Sequence, residues 1–229
     1  RPHQTDYSFY RGYAYLMMQE YQRAAIYFNQ LSKAENRYTT RGTYYYAYCM
    51  YKMQKYEKAL PALQRLENNE EYQKTIPYYL VQIYYAQGNY DEVETRAKTL
   101  LREQPESLNN CELHRLLGEI YFHKGDYQQA ISYLQHYQAE TKKQGLELLR
   151  NDMYMLGTAA YKTGEYELAV QSLKQMKQQV DTISEAACLT MGNAYVQLKQ
   201  YEQAKLSYQA AANYALTPTV TEEAAYNYT

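Results

Sequence analysis

One tyrosine returns six times along this chain, at Tyr21, Tyr56, Tyr90, Tyr127, Tyr166 and Tyr201, in steps of 35, 34, 37, 39 and 35 residues. A fixed period near 34 residues marks a repeated helical unit that cannot bury its apolar face alone and must stack on its neighbours. Three residues after each tyrosine stands Ala24, Ala59, Val93, Ala130, Ala169 or Ala204. Four further on stands Phe28, Leu63, Ala97, Leu134, Leu173 or Tyr208. Offsets of three and seven lie on one face of an α-helix, so each tyrosine opens a helix with one buried stripe.

Nine residues before each tyrosine comes Gly12, Ala47, Val81, Gly118, Gly157 or Gly192. A modest residue there lets a preceding helix approach its partner closely. The small residues of the following segment are expected to receive it, and added bulk costs about 1–3 kcal/mol by overpacking. The punctuation between the helices is equally regular, in Gly88-Asn89-Tyr90, Gly125-Asp126-Tyr127 and Gly164-Glu165-Tyr166. Glycine takes the left-handed conformation that closes the first helix, and the Asn or Asp behind it caps the second. Gln19, Gln54 and Lys199 hold the glycine place in the other three repeats; each gives up about 1 kcal/mol if its backbone is also left-handed. Pro105 and Pro218 are expected to stop second helices. Pro77 fits the first turn of a helix capped by Thr75, while Pro61 sits deeper and predicts a kink or a lost hydrogen bond.

Composition narrows the class further. The chain has 32 Tyr, 3 Phe and no Trp, with 9 Gly and 5 Pro. Few turn-formers favour helix throughout. Tyrosine fills half-buried seams while its hydroxyl reaches water, which suits a thin structure. Lys+Arg 24 against Asp+Glu 25 excludes a chain built to coat nucleic acid. The balance hides an asymmetry, net +6 over residues 1–65 and net −7 over 66–229. Cys49, Cys111 and Cys188 lie far apart and read as small apolar helix residues. No run of 18 apolar residues is present to span a membrane. The chain opens on Arg1 with no visible signal peptide, and a longer natural protein is expected.

These residues resemble the tetratricopeptide repeat. The resemblance is carried by Leu117-Gly118, Tyr121, Gly125-Asp126-Tyr127 and Ala130; by Leu156-Gly157, Gly164-Glu165-Tyr166 and Ala169; and by Met191-Gly192, Tyr195, Tyr201 and Ala204. The family's early tryptophan is replaced by Ser8, Thr43, Pro77, His114, Met153 and Cys188. The implied fold is all-α, a right-handed α-α superhelical solenoid of antiparallel helix pairs in a single array over 1–229. Repeats are expected at about 5–38, 40–73, 74–107, 111–144, 150–183 and 185–218, with 219–229 opening a seventh. Extra residues fall at Glu106–Asn110 and Thr141–Leu149, as longer loops or an extended helix. Thr221 reads as the start of the seventh first helix, and an exposed apolar seam is expected near Tyr208, Ala212 and Tyr226.

No catalytic constellation appears, and no cofactor motif. Cys111, His114 and His123 lack the fourth ligand that a zinc site needs, and His3 and His136 stand alone. The chain therefore reads as no enzyme, with no metal and no cofactor. In the resembled family the first helices line a concave groove that takes a protein or peptide segment. Carried over by position, that groove holds Phe9, Tyr13, Tyr44, Tyr48, Tyr51, Tyr78, Tyr85, Arg115, Phe122, Tyr154 and Tyr161. A clamp for acidic C-terminal tails needs Lys and Asn where Phe9, Tyr13, Tyr44 and Tyr48 stand, and RNA readers need a basic groove that acidic repeats four to six do not offer. The leading function is a protein-interaction scaffold. The alternative is a structural spacer or self-assembly module joined through its end repeats. The same tyrosines could equally pack between repeats. The Tyr-rich turns also resemble long bacterial cell-envelope proteins of this family, which implies a periplasmic or envelope location.

Overall fold

The structure is a computed structural model, and it describes residues 2–229. Every regular element among them is an α-helix. They are α1 (Pro2–Met17), α2 (Tyr21–Ser32), α3 (Thr39–Lys52), α4 (Tyr56–Gln64), α5 (Ile76–Ala86) and α6 (Tyr90–Glu103). There follow α7 (Asn110–Lys124), α8 (Tyr127–Lys143), α9 (Arg150–Thr163), α10 (Tyr166–Lys174), α11 (Thr182–Gln197), α12 (Tyr201–Tyr214) and α13 (Pro218–Tyr228). The chain divides into two compact units, Arg1–Pro105 with α1 to α6 and Glu106–Thr229 with α7 to α13. Within each unit consecutive helices pair, and each repeat tyrosine is the first residue of the second helix of a pair.

The hairpin turn is one geometry used six times. Gly88, Gly125 and Gly164 have φ of 73°, 78° and 84°. Gln19, Gln54 and Lys199 occupy the same place at φ 58°, 58° and 59°, so the left-handed turn is kept where glycine is not. It is held by a backbone bond from the residue before each tyrosine to the carbonyl five back, as in Glu20 N–H to Tyr15 (2.9 Å), Lys55 to Met50 (2.8 Å), Asp126 to Tyr121 (3.0 Å) and Gln200 to Tyr195 (2.9 Å). Asn89 and Asp126 accept side-chain cap bonds from the amides of Glu92 and Gln129.

Two expectations about helix ends are corrected. Thr75 precedes α5 but makes no side-chain cap bond, because its backbone is right-handed helical (φ −103°, ψ −46°) rather than extended. Pro218 does not stop a helix; it opens α13, where its missing N–H costs nothing, and Ala215 in the left-handed conformation ends α12. Pro61 lies inside the nine-residue α4 on its exposed side and, having no N–H, leaves out one bond of the helix ladder, as its place in the sequence predicts. The extra residues resolve into both forms: the first insertion is a loop before α7, whereas the second lengthens α8 to 17 residues before a loop at 144–149.

The buried stripe is as the spacing predicts. Ala24, Ala59, Val93, Ala130, Ala169 and Ala204 are buried, as are Phe28, Leu63, Ala97, Leu134, Leu173 and Tyr208. The partner of the close-approach residue, however, is the large one. A β-carbon on Gly118 would stand 2.6 Å from Leu134 Cγ, and one on Gly192 would stand 2.5 Å from the Tyr208 ring. The contact runs sixteen residues along the chain, from the first helix to the second turn of its partner's stripe. Val81 and Ala97 share that register with the sizes exchanged, so one volume is filled in either order.

The expected seam at the C-terminal end is also corrected. α13 packs on α12, and Tyr208 and Ala224 are both buried; of Tyr208, Ala212 and Tyr226, Tyr226 alone is fully out in solvent. Glu185 in α11 pins this helix. Its carboxylate, itself buried, accepts from the amides of Leu216 (3.0 Å) and Thr217 (2.9 Å) and from the Thr221 hydroxyl (3.2 Å). These donors flank the start of α13, and the cap amide of Thr217 among them is an orphan of that helix satisfied from another one.

Candidate protein-binding groove

In the first unit the first helices α1 and α3 place rings side by side. A cavity of about 320 Å³ is lined by Tyr13, Leu16 and Met17 of α1, by Gln19 and Tyr21 at the turn, and by Tyr44, Tyr45 and Tyr48 of α3. Tyr13 is 38% exposed and Met17 61%, so the cavity opens to water. Its walls are braced from behind. Tyr44 stacks on Tyr72 at 4.2 Å, and Tyr48 meets Tyr21 (6.3 Å) and Tyr79 (6.0 Å) edge to face. Such ring pairs fix orientation beyond simple area burial.

Two of the walls, Tyr44 and Tyr45, hold their protons. Burial, followed by the neighbouring Tyr79, Tyr72 and Tyr45 hydroxyls, pushes the Tyr44 phenol well up, and burial with Glu71 takes Tyr72 to about 12. Burial raises Tyr45 and Tyr79 as well. The cavity therefore presents apolar ring faces edged with neutral hydroxyls that donate or accept.

The other predicted groove residues divide by what they touch. Phe9 is only 8% exposed; it stacks on Tyr38 at 4.3 Å and contributes to packing. Tyr51, Tyr85, Phe122 and Tyr161 each meet the tyrosine five residues on, across their own hairpin turn, at 6.1, 5.7, 5.7 and 5.9 Å and similar angles. That fourfold pairing is a feature of the turn. Tyr78 lies beside Tyr79, and Tyr154 is half-buried on α9. Arg115 is held by Glu112 (2.7 Å), Glu119 (3.3 Å) and, at 3.8 Å, by the buried Asp152. Its charge is spent inside the second unit, with the Glu112 hydrogen bond the largest influence on it.

Elsewhere the reactive side chains are tied to neighbours. Cys111 Sγ lies 3.2 Å from the Thr141 hydroxyl, and burial pushes its thiol up, away from the nucleophilic form. His114 stacks on His136 at 5.1 Å and faces Glu140 at 3.3 Å, while burial lowers its pKa. Among the described residues no three His, Cys, Asp or Glu side chains gather as metal ligands, and no helix is long and apolar enough to cross a membrane. The bracing rings Tyr38, Tyr72 and Tyr79 and the staple Glu185 escaped the sequence reading, because each acts on a partner in another helix.

Family models of the tetratricopeptide repeat match residues 43–70, 78–144, 153–180 and 185–217, together more than half of the chain. Among solved structures the chain is similar to YrrB, described as a TPR protein with an unusual peptide-binding site, at TM-score 0.66 and 17% identity over 87% of this chain and 97% of that one. It is similar to MamA AMB-1 at TM-score 0.59 and 16% identity, over 78% and 92% of the two chains. A chain of the APC/C hetero-tetramer Cut9-Hcn1 matches at TM-score 0.52 and 16% identity over 95% of this chain and 42% of that one. No curated protein matches the chain in sequence. These likenesses show the fold, and the repeat matches fall in both compact units; the chain belongs to the tetratricopeptide-repeat family.

Proposed function

We propose that this protein is a non-catalytic scaffold that holds a segment of a partner protein against the aromatic first-helix face of its first unit. One observation carries the reading: five tyrosines, Tyr13, Tyr21, Tyr44, Tyr45 and Tyr48, surround a solvent-open cavity of about 320 Å³. That volume is in the range of small binding pockets, and pre-stacked tyrosines give up little rotamer freedom on contact. The fold shared with YrrB, whose description names a peptide-binding site, supports a peptide as the class of occupant. The test uses a peptide selected on the folded protein. Replacing Tyr13 and Met17 together by Ala trims the exposed lip; it removes the Tyr13 contacts with Phe9 and Tyr45 but leaves Tyr44 on Tyr72 and Tyr48 on Tyr21 and Tyr79. Melting is expected to stay within a few degrees while the peptide is lost; retained binding overturns the reading.

A second reading, assembly through the end repeats, is favoured by a separate observation. Tyr7 is 60% exposed and Ala14 is exposed, whereas their counterparts in every later repeat are buried: Gly42, Ile76, Leu113, Asp152 and Ala187 for the first, and Cys49, Ile83, Ile120, Ala159 and Ala194 for the second. At Gly42 that face is closed by Leu31 of α2. An open face of this kind suits a further helix, from a second copy or a spacer array. Concentration-dependent sedimentation that Tyr7→Arg abolishes is the result this reading expects. A periplasmic or envelope setting belongs to the proposal too; it rests on the style of the turns, and fractionation of cells expressing the natural gene tests it.

A further inference from the structure

One wall of the cavity between α1 and α3, the ring of Tyr48, carries a charge beside it. Lys52, the last residue of α3, holds its ammonium 5.8 Å from the ring of Tyr48, and no carboxylate of the described residues pairs with it. The turn and helix start beyond it, residues 52–58, carry Lys52, Lys55 and Lys58 against Glu57 alone, all exposed. Glu20, between the lining residues Gln19 and Tyr21, is occupied by Arg23 at 2.8 Å.

A ring of tyrosine faces by itself attracts cations. Here one face is already taken by the protein's own ammonium, and a second cation meets both that charge and its neighbours. We infer that the cavity takes an apolar side chain flanked by carboxylates, from an acidic segment of a partner protein, with Lys52 meeting the acid beside the anchor. This inference rests on the groove reading above and names the chemistry of its occupant.

Three capped tripeptides serve as probes: acetyl-Glu-Phe-Glu-amide, acetyl-Gln-Phe-Gln-amide and acetyl-Lys-Phe-Lys-amide. Each is titrated into the whole chain at low salt and followed by the ring-proton signals of Tyr13 and Tyr48. The acidic probe is expected to bind about fivefold or more tighter than the neutral one, and the basic probe weakest, since opposite charge at a rim steers and holds a ligand. Lys52→Gln is expected to erase the acidic advantage while the neutral probe still binds. An equal or reversed order overturns the inference and leaves the groove standing. So does an acidic advantage that survives Lys52→Gln. Failure of all three probes to move the Tyr13 and Tyr48 signals overturns the inference and the groove reading together.

Discussion

A β-carbon added to Gly157 would stand 2.5 Å from Leu173 Cγ and 3.1 Å from the carbonyl oxygen of Ala169. The leucine can shift, but the carbonyl belongs to a packed helix and cannot, so the two helices must part. Gly157→Ala is expected to cost about 1–3 kcal/mol in urea unfolding. Combined with Leu173→Ala, the loss is expected to fall short of the sum of the single losses, because the two residues share one volume. Strict additivity contradicts this packing.

The turn residue of the second hairpin offers a gain. Gln54 sits at φ 58°, where a side chain is penalised and glycine is not. Gln54→Gly is expected to stabilise the chain by about 0.5–1 kcal/mol, and Gly164→Gln to destabilise it by about as much. Thermal melts of the two variants check both signs.

Glu185 ties α13 to α11, and the sign of its pH effect follows from its bonds. Burial pushes its carboxyl up, but the bonds from Thr217, Leu216 and Thr221 outweigh burial and hold its pKa below the ordinary value. The staple therefore contributes above the unfolded carboxylate range and is lost as pH falls through the lowered folded value. Amide protection in 218–228, taken relative to unstructured peptide at the same pH, is expected to fall below about pH 4. In Glu185→Gln protection is expected to be low at every pH; protection indifferent to both changes removes the staple from the account.

Asp152 runs the other way. Burial raises its carboxyl to about 6 although Arg115 opposes the shift. An acid whose folded pKa lies above its unfolded one lowers stability as pH rises between them. Asp152→Asn is expected to stabilise the chain by on the order of 2 kcal/mol above pH 6 and to change little near pH 4, from a shift of about two units. A loss of stability at pH 8 contradicts this.

Much of the fold was legible because the repeat is written in local chemistry. Tyr21 and its successors mark helix starts, and Gln54 and Lys199 keep the left-handed turn that Gly125 makes obvious. The small residue before each turn pointed to close approach, but its partner was misassigned. Helical offsets within one segment cannot say which residue of the next helix lies opposite; Gly12 meets Tyr27 and Phe28, and Gly157 meets Leu173 more closely than the Ala169 carbonyl. The predicted groove was legible as positions and not as roles. Tyr48 and Tyr51 share a face by spacing, yet Tyr48 lines the open cavity while Tyr51 closes on Tyr56 across the turn. Glu185 was hidden for a related reason, since its hydrogen-bond partners lie more than thirty residues away.

The central claim is that the cavity framed by Tyr13, Tyr44 and Tyr48 is where a partner segment binds. Its most direct test is to select peptides from a random library on the folded chain and map their contacts through the tyrosine ring signals. The account predicts that selected peptides move Tyr13, Tyr44 and Tyr48 and compete with one another. Peptides that instead move Tyr7 or the second unit, or a selection that yields none, contradict it.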